Sequence, residues 1–434
     1  MDYIKLPMPV EYILNKLHDN GYEAYVVGGC VRDSLMRKIP SDWDICTSAL
    51  PEITKEIFRD NRIIDTGIKH GTVTVLLSDS FHKDPVSYEI TTYRVDGEYA
   101  DSRHPDNVEY VFDLKKDLER RDFTINAMAY NYEDGLIDPY GGKEDLYNHI
   151  IRCVGNPDDR FKEDGLRIMR AIRFAIQFHY SFEFNTELSI ERNIHLLSNI
   201  SKERISSELI KLIKNLSLPA FLSESNKSIV YNIYKLIEAI SVVVPGYSTD
   251  QDVIHLLDGF SLCYRDVPFC LAVLFDNPNI EQMLKDLRFS NDIVDAAKMI
   301  REYGYRIIEE QKEWILYHES ICMKHYARKL YNSIKIYPAS MAVNYAKFLS
   351  GNDKALDDYL TLLEMAVNRC LLNNDIYETR FLAVSGTDLI SMGYQGKQIG
   401  KILNGLLDLV MSETVKNNKK ELLAAIKTIR LDGE

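Results

Sequence analysis

Strand-forming and helix-forming patterns occupy different parts of this chain. Short runs rich in β-branched and aromatic residues crowd the first ~130 positions: Ala24–Gly28, Asp42–Cys46, Thr72–Leu77 and Tyr88–Tyr93. Beyond residue 150 these runs fade and a 3.6-residue periodicity takes over, in EDGLRIMRAIRFAIQF from Glu163 and KERISSELIKLIKNL from Lys202. Strands first and helices afterwards predict an α+β chain, a mixed-sheet head followed by an all-α remainder. Within the head, Leu6–His18 reads as an amphipathic helix ending at Asn20-Gly21, and Val31–Arg37 as a helix that follows a glycine pair. At 434 residues, two to four domains are expected. Boundaries near Asn156-Pro157, Leu218-Pro219 and Asn352–Asp353 give a head over 1–150, a neck over 151–218, a body over 219–352 and a tail over 353–434.

The charge balance sets a limit on partners. Fifty-two Lys and Arg stand against 65 Asp and Glu, a net charge of −13, which excludes a chain that coats nucleic acid by bulk positive charge. A local basic groove remains open. A hydrophobic fraction of 46% excludes wholesale disorder. The seven cysteines are widely spaced with no CxxC pair and no zinc-type cluster, so reduced, buried thiols of a cytoplasmic protein are expected. The first residues lack an apolar core of signal-peptide length, and no run is long enough to span a membrane.

The most informative stretch is VVGGCVRDSLMRKIPSDWDICTSALP, from Val26 to Pro51. A strand runs into Gly28-Gly29, where a backbone can approach a ligand closely, and a helix start supplies N–H groups suited to a triphosphate. Arg32, in the first turn, can reach phosphate oxygens. Asp42 and Asp44 would share one face of a strand over 42–46. Two close carboxylates repel, and a divalent cation bound to both removes that cost. Two metals held this way can activate a 3′-hydroxyl and stabilise leaving pyrophosphate. Either feature alone also fits an ordinary turn or an exposed Asp pair.

This GGxxRD and DxD arrangement resembles the polymerase-beta-type nucleotidyltransferases. The chain is further similar to class II tRNA nucleotidyltransferases, the CCA-adding enzymes, and to their relatives the bacterial poly(A) polymerases. The likeness is nearly continuous over 22–210 and resumes more faintly over 383–425. It implies a polymerase-beta-type head with helical neck, body and tail, two Mg²⁺ at Asp42 and Asp44, CTP and ATP as substrates, and tRNA as partner. Glu89, in the strand YEITTYR, is a candidate third carboxylate, and Arg94 closes that strand. The block LERRDFTINAMAY (118–130) is expected to begin a helix, and Arg120 and Arg121 can hold a triphosphate. The resemblance puts Arg121 beside the nucleotide, with Asp122 and Asn126 in support. Asp122 may serve equally as a helix cap. IDPYGGKEDL (137–146) reads as a turn that the resemblance makes a hinge.

In RFKEDGLRIMRAIRF, from Arg160, charges recur every three or four residues. A solvated salt-bridged face is one reading, in which Asp164 and Arg167 meet on one helix surface. Base chemistry offers a sharper one. A carboxylate accepts from the exocyclic amino group of cytosine or adenine, a guanidinium donates to their ring acceptors, and uracil and guanine are refused. The pattern resembles the family's protein template, which gives Asp164 and Arg167 that role and places Arg170 and Arg173 toward phosphate or tRNA.

The polar stretch between Arg94 and the RRD block looks complete, which disfavours CC-only addition and leaves full CCA and A-only addition open. A long basic C-terminal extension of the poly(A) polymerase kind is not seen, and SGTDLI and GYQGKQIG fit the CCA-adding tail. Residues 252–291 are faintly similar to an HD phosphohydrolase, but Phe275 replaces the histidine before Asp276, so no second active site is expected. RNA attraction must come from local strips. Residues 160–173 carry five Lys and Arg against two acids, 394–430 seven against three, and Lys324–Tyr337 alternates cations with tyrosines. These suit the tRNA acceptor and T stems. Oligomeric state is not legible. An antibiotic-modifying nucleotidyltransferase and an inert tRNA-binding protein are the rivals from other classes.

Overall fold

The computed structural model describes residues 3–65, 67–77, 85–96, 108–216, 227–263, 265–317, 326–327, 330, 336–351, 353–372, 379–412 and 414–429. The chain divides into two compact units, 1–249 and 250–434. The expected boundaries at 218–219 and at Asn352 fall on residues outside this description.

In the first unit, helix α1 (Met8–His18) starts behind Pro7, which is suited to a helix entry, and buries Val10, Ile13, Leu14 and Leu17 at three- and four-residue spacing. Strand β1 (Ala24–Val27) leads into helix α2 (Gly29–Leu35), and β2 (Ile45–Thr47) into α3 (Pro51–Ile57). Strands β3 (Arg62–Ile64), β4 (Thr72–Leu77) and β5 (Val86–Thr92) follow, then the short pair β6 (Arg94–Asp96) and β7 (Val108–Tyr110). Helix α4 (Leu114–Glu119) precedes β8 (Ala129–Asn131), β9 (Gly135–Ile137) and α5 (Gly142–Asn148). One seven-stranded sheet has the order β3-β4-β5-β2-β1-β8-β9. Its centre is mixed: β1 runs antiparallel to both β2 and β8, and β2 parallel to β5. Tyr25, Val27, Cys46, Tyr93, Leu118, Ala127 and Ala129 form part of the core against this sheet.

The helical part of this unit begins after β10 (Ile150–Ile151) with α6 (Pro157–Glu163) and α7 (Leu166–Phe178), and continues through β11 (Ser181–Phe182), α8 (Phe184–Asn193), α9 (Lys202–Lys214) and α10 (Lys227–Val243). Helix α7 buries Ile168, Met169, Ala171, Ile172, Ala175 and Ile176, and α9 buries Ile205, Leu209, Leu212 and Ile213. Each such fully buried aliphatic side chain contributes about 1.5–3 kcal/mol by leaving water.

Three expectations about local structure change. The strand at 42–46 starts only at Ile45, so both aspartates precede it, although the Val27 N–H still donates to the Asp44 carbonyl (3.0 Å). The segment after Arg121 forms a 3₁₀ turn, Thr124–Asn126, and then strand β8 rather than a helix. Its alanines and Met128 are fully buried beside β1, and sheet pairing overrides helix propensity there. The run from Glu163 is not one helix: α6 ends at Asp164 and α7 begins after Gly165, whose missing side chain lets the backbone lie close to Leu196 and Ile200.

The second unit is helical. Val253–Leu262, Val267–Leu274, Ile280–Asp286, Asn291–Tyr317, Ile336–Ser350 and Lys354–Leu372 are its longer elements, with one core around Ile307, Ala342, Val343, Ala346, Leu360 and Leu363. A second core, around Leu389, Ile402, Leu406, Leu407 and Leu422, joins Gly386–Ser391, Lys397–Met411 and Lys419–Ala425. Ser385 and Asp388 form a reciprocal cap where SGTDLI begins its helix. Asp276 is engaged by Arg301 (2.8 Å) and by the Tyr305 hydroxyl, as a structural ion pair. No helix of the described residues is long and apolar enough to cross a membrane.

Candidate active site

The site forms where β1 turns into α2. Gly28 takes φ +76°, ψ −126°, a conformation open to glycine, and its N–H donates to the Met128 carbonyl (3.2 Å). A β-carbon there would lie 2.9 Å from Arg121 Nη1. The absent side chain therefore lets the Arg121 guanidinium lie against the turn. At Gly29 the same test meets only Arg32 Nη2, at 3.6 Å. Arg121 Nη2 pairs with Asp117 (3.2 Å), while its Nε is buried with no acceptor among the described residues, a donor left over for a ligand. Asp117 is fully buried. It also takes two bonds from Arg120 and the Arg94 N–H, and burial, which works against its charge, is overcome by Arg120 and Arg121, so its carboxyl stays below the usual range.

The carboxylates stand on the exposed edge of β2. The parallel register sets Ile45 opposite Ile90, which brings the preceding residues, Asp44 and Glu89, side by side on the other face. Enclosure, then the negative charges of Asp42 and Glu89, push the Asp44 carboxyl up to about 6, against the pull of Arg121. All three carboxylates are nonetheless exposed, and water screens part of that push. The only side-chain partner of Asp42 is Ser41, whose hydroxyl donates to it (3.0 Å). Two accessible carboxylates that destabilise each other suit a hard divalent cation, which keeps waters and completes its shell with phosphate oxygens. Among the described residues no three Asp, Glu, His or Cys side chains stand together as a metal cluster, so Glu89 is a neighbour of the pair rather than part of a three-ligand set.

Asp164 and Arg167 do not meet as an ion pair. The break at Gly165 turns them to different partners. Asp164 caps α7, accepting from the Leu166 N–H (3.0 Å), and takes a two-pronged pair from Arg204 on α9, at 3.1 Å to Oδ1 and 2.7 Å to Oδ2. Arg167, 8% exposed, donates to Glu163 Oε2 (2.6 Å) and to the carbonyls of Arg160 (3.2 Å) and Arg120 (3.1 Å).

The remaining expected residues form one chain of polar contacts. Arg32 Nη1 donates to Asn126 Oδ1 (2.7 Å), Asn126 Nδ2 to Asp122 Oδ1 (3.0 Å), and Arg170 pairs with Asp122 Oδ2 (2.6 Å). Burial disfavours the charge on Asp122, but Arg170 and Asn126 outweigh it and hold the carboxyl well below its ordinary range. Asp122 also accepts from the Phe123 N–H. Arg32 is 7% exposed, bonded to Asp33 as well, and stacked over Phe174 and Phe178 of α7. The sequence places it at the phosphates; the structure places it as the link between α2 and α7. Arg173, 6% exposed, is bound to Glu208 (2.6 Å) and Gln177 rather than turned to solvent.

Asp117, Arg204 and Glu208 escaped the sequence reading. Glu208 falls on the apolar stripe Ile205, Leu209, Leu212 of α9, and Asp117 lies on the stripe of Leu114 and Leu118. A charge on a buried stripe demands a partner, and that was the available signal.

Comparison with known proteins follows this geometry. The family model described as "Poly A polymerase head domain" matches residues 24–152, and that described as "Probable RNA and SrmB- binding site of polymerase A" matches 179–220. The CCA-adding enzyme of Lactobacillus helveticus is 35% identical over 417 residues, covering 94% of this chain and 93% of that protein. The chain belongs to the CCA-adding enzyme family. Among solved structures, the CCA-adding enzyme of Bacillus stearothermophilus in complex with CTP superposes with a TM-score of 0.71 at 28% identity, covering 98% of each chain. The Thermotoga maritima CCA-adding enzyme complexed with tRNA shares the fold, with a TM-score of 0.65 at 21% identity over 98% of this chain and 97% of that one. The mixed-sheet head with helices after it is the fold of this family.

Proposed function

We propose that this CCA-adding enzyme transfers CMP, CMP and AMP in turn from CTP and ATP to the 3′ end of tRNA, releasing pyrophosphate. The observation that carries the reading is the tripeptide Arg120–Asp122. The Arg120 carbonyl holds Arg167, Arg121 lies on the glycine turn and draws on Asp44, and Asp122 binds Arg170 and, through Asn126, Arg32. Three adjacent residues thus tie together the parts that phosphate binding, metal binding and base selection require.

In this reading Gly28, Gly29 and Arg121 hold the triphosphate, with the unpartnered Arg121 Nε aimed at it. Asp42 and Asp44 hold Mg²⁺, which lowers the hydroxyl pKa and stabilises the leaving group when bound. Asp164 accepts from the exocyclic amino group and Arg167 donates to the ring acceptors of cytosine or adenine. Arg170, Asp122, Asn126 and Arg32 back the site, and Arg173 braces α7. The domain assignment is head 1–150, neck 151–218, body 219–352 and tail 353–434, with RNA gripped by basic strips on the helical parts in the cytoplasm. The loop over 97–107 and most of Lys324–Tyr337 lie outside the described residues.

The test offers CTP and ATP separately to tRNAs lacking CCA, lacking CA and lacking only A. CMP on the shortest substrate and AMP on the longest are expected. AMP addition alone, with no CMP on any substrate, rejects the reading in favour of an A-adding enzyme.

A further inference from the structure

Base selection by a carboxylate has a chemical requirement beyond position. Cytosine and adenine present an amino group where uracil and guanine present a carbonyl oxygen. A carboxylate refuses the carbonyl only while the oxygen it presents carries no proton; a protonated one would donate and accept the wrong base. The reading carboxylate therefore needs a group that keeps it an acceptor and stops it rotating. Asp164 has such a group in Arg204. Both oxygens are bound by one planar guanidinium, at 3.1 and 2.7 Å, which fixes the carboxylate plane, and the Leu166 N–H takes a further lone pair of Oδ1. A carboxylate has about four lone-pair sites, and three are used, so one is left for an exocyclic amino group.

One turn further along the same helix, Glu208 does the matching work on the cationic side. It is 2% exposed, binds Arg173 Nε (2.6 Å), and lies 3.9 Å from Arg170, which in turn holds Asp122. Helix α9 thus turns an Arg and a Glu, four residues apart, toward the back of α7.

We propose that Arg204 is a specificity-positioning residue for this reaction, holding Asp164 as a fixed, acceptor-only carboxylate, with Glu208 bracing α7 beside it. The inference rests on the proposed role of Asp164 in reading the base. Arg204 touches no substrate in this account; it acts through Asp164. A cavity of about 460 Å³ lies beside it, lined by Leu166, Ser201, Glu203, Ser207 and Lys211 as well as Arg204 and Glu208. Water can therefore fill the space left by truncation, so Arg204 can be shortened without a dry void.

The experiment compares kcat/KM for CTP, ATP, UTP and GTP in Arg204→Ala, Arg204→Lys and Asp164→Ala, with a thermal melt of each. Arg204→Ala is expected to lower the preference for CTP over UTP and for ATP over GTP at least ten-fold, and Arg204→Lys to restore only part, because an ammonium cannot grip both oxygens. An equal loss on all four nucleotides, or an unchanged preference, overturns the inference. If Arg204→Ala does not fold, Arg204→Lys decides by the same ratios. Asp164→Ala separates the two levels. Loosened selection there with unchanged selection in the Arg204 variants defeats this inference alone, while unchanged selection in Asp164→Ala defeats the underlying role of Asp164.

Discussion

Gly28→Ala isolates the contribution of the glycine turn. Two costs follow from its geometry. A side chain at φ +76°, ψ −126° costs about 1–3 kcal/mol in backbone strain, offset by about 0.4–1 kcal/mol because alanine restricts the unfolded chain. The net loss is about 1–2 kcal/mol, and for a folding unit of 249 residues at about 2–4 °C per kcal/mol that lowers Tm by roughly 2–8 °C. The second cost is functional. The new methyl stands 2.9 Å from Arg121 Nη1, a flexible end that yields more easily than backbone, so the guanidinium moves away from the phosphates. A hydrogen bond to a charged group contributes about 1.5–3 kcal/mol, so kcat/KM should fall roughly ten- to a hundred-fold. The fall must be equal for CTP and ATP, because both carry the same triphosphate. Gly29→Ala is the control: its methyl would meet Arg32 at 3.6 Å, an ordinary contact, and it should change kcat/KM far less. Single-nucleotide addition on tRNAs lacking CCA and lacking only A, alongside calorimetry, measures all of this. A Gly28→Ala enzyme whose CTP and ATP rates diverge, or one less active than Gly29→Ala by no margin, would refute the argument.

Asp42→Ala should abolish transfer of both nucleotides while leaving the melting curve near wild type, since its only side-chain contact is Ser41; residual CMP addition would contradict the metal assignment. Asp44, pushed up to about 6, gains its proton as pH falls through that value, so transfer should decline on the acid side, and raising Mg²⁺ should move the decline to lower pH; a limb insensitive to Mg²⁺ would assign it to another group. Asp117, Asp122 and Glu208 are held below their ordinary values in the fold, so each stabilises above the unfolded carboxylate range of about 4 and loses that contribution as pH drops below it. Tm should therefore fall between pH 5 and pH 3, less steeply in Glu208→Gln, and calorimetry showing a flat Tm there would be inconsistent with these ion pairs. In filter binding, affinity for tRNA should drop steeply with salt, as expected for contacts to phosphates by local strips on a chain of net charge −13.

Much of this was legible because the motifs join chemistry to spacing. The strand before Gly28, the pair Asp42 and Asp44, and the separation of sheet from helices all follow from local patterns. What stayed hidden depends on distant partners. No local signal says that Asn126 precedes a strand, since only the pairing of Val26 with Tyr130 makes that segment extended. Nor does the spacing of Asp164 and Arg167 reveal that Gly165 breaks their helix and sends one to Arg204 and the other to Glu163. Arg32 illustrates a subtler limit: its place in the motif points to phosphate, while the two phenylalanine rings that hold it lie about 140 residues away, at a separation local pattern rules cannot bridge.

The pairing of β1 also bears on how the chain comes into being. β1 is flanked by β2, some twenty residues downstream, and by β8, more than a hundred residues away, with Val26 facing Ile45 on one side and Tyr130 on the other. During synthesis the glycine turn leaves the ribosome early, yet both Arg121 and the strand that closes its far side are still to be made. The nascent head must wait with a buried-to-be edge exposed until Asn131 has emerged, about 5–20 s at typical elongation rates. Nucleotide binding is thus unavailable to any shorter nascent chain, and that interval, rather than the helical remainder, is where a chaperone would matter most.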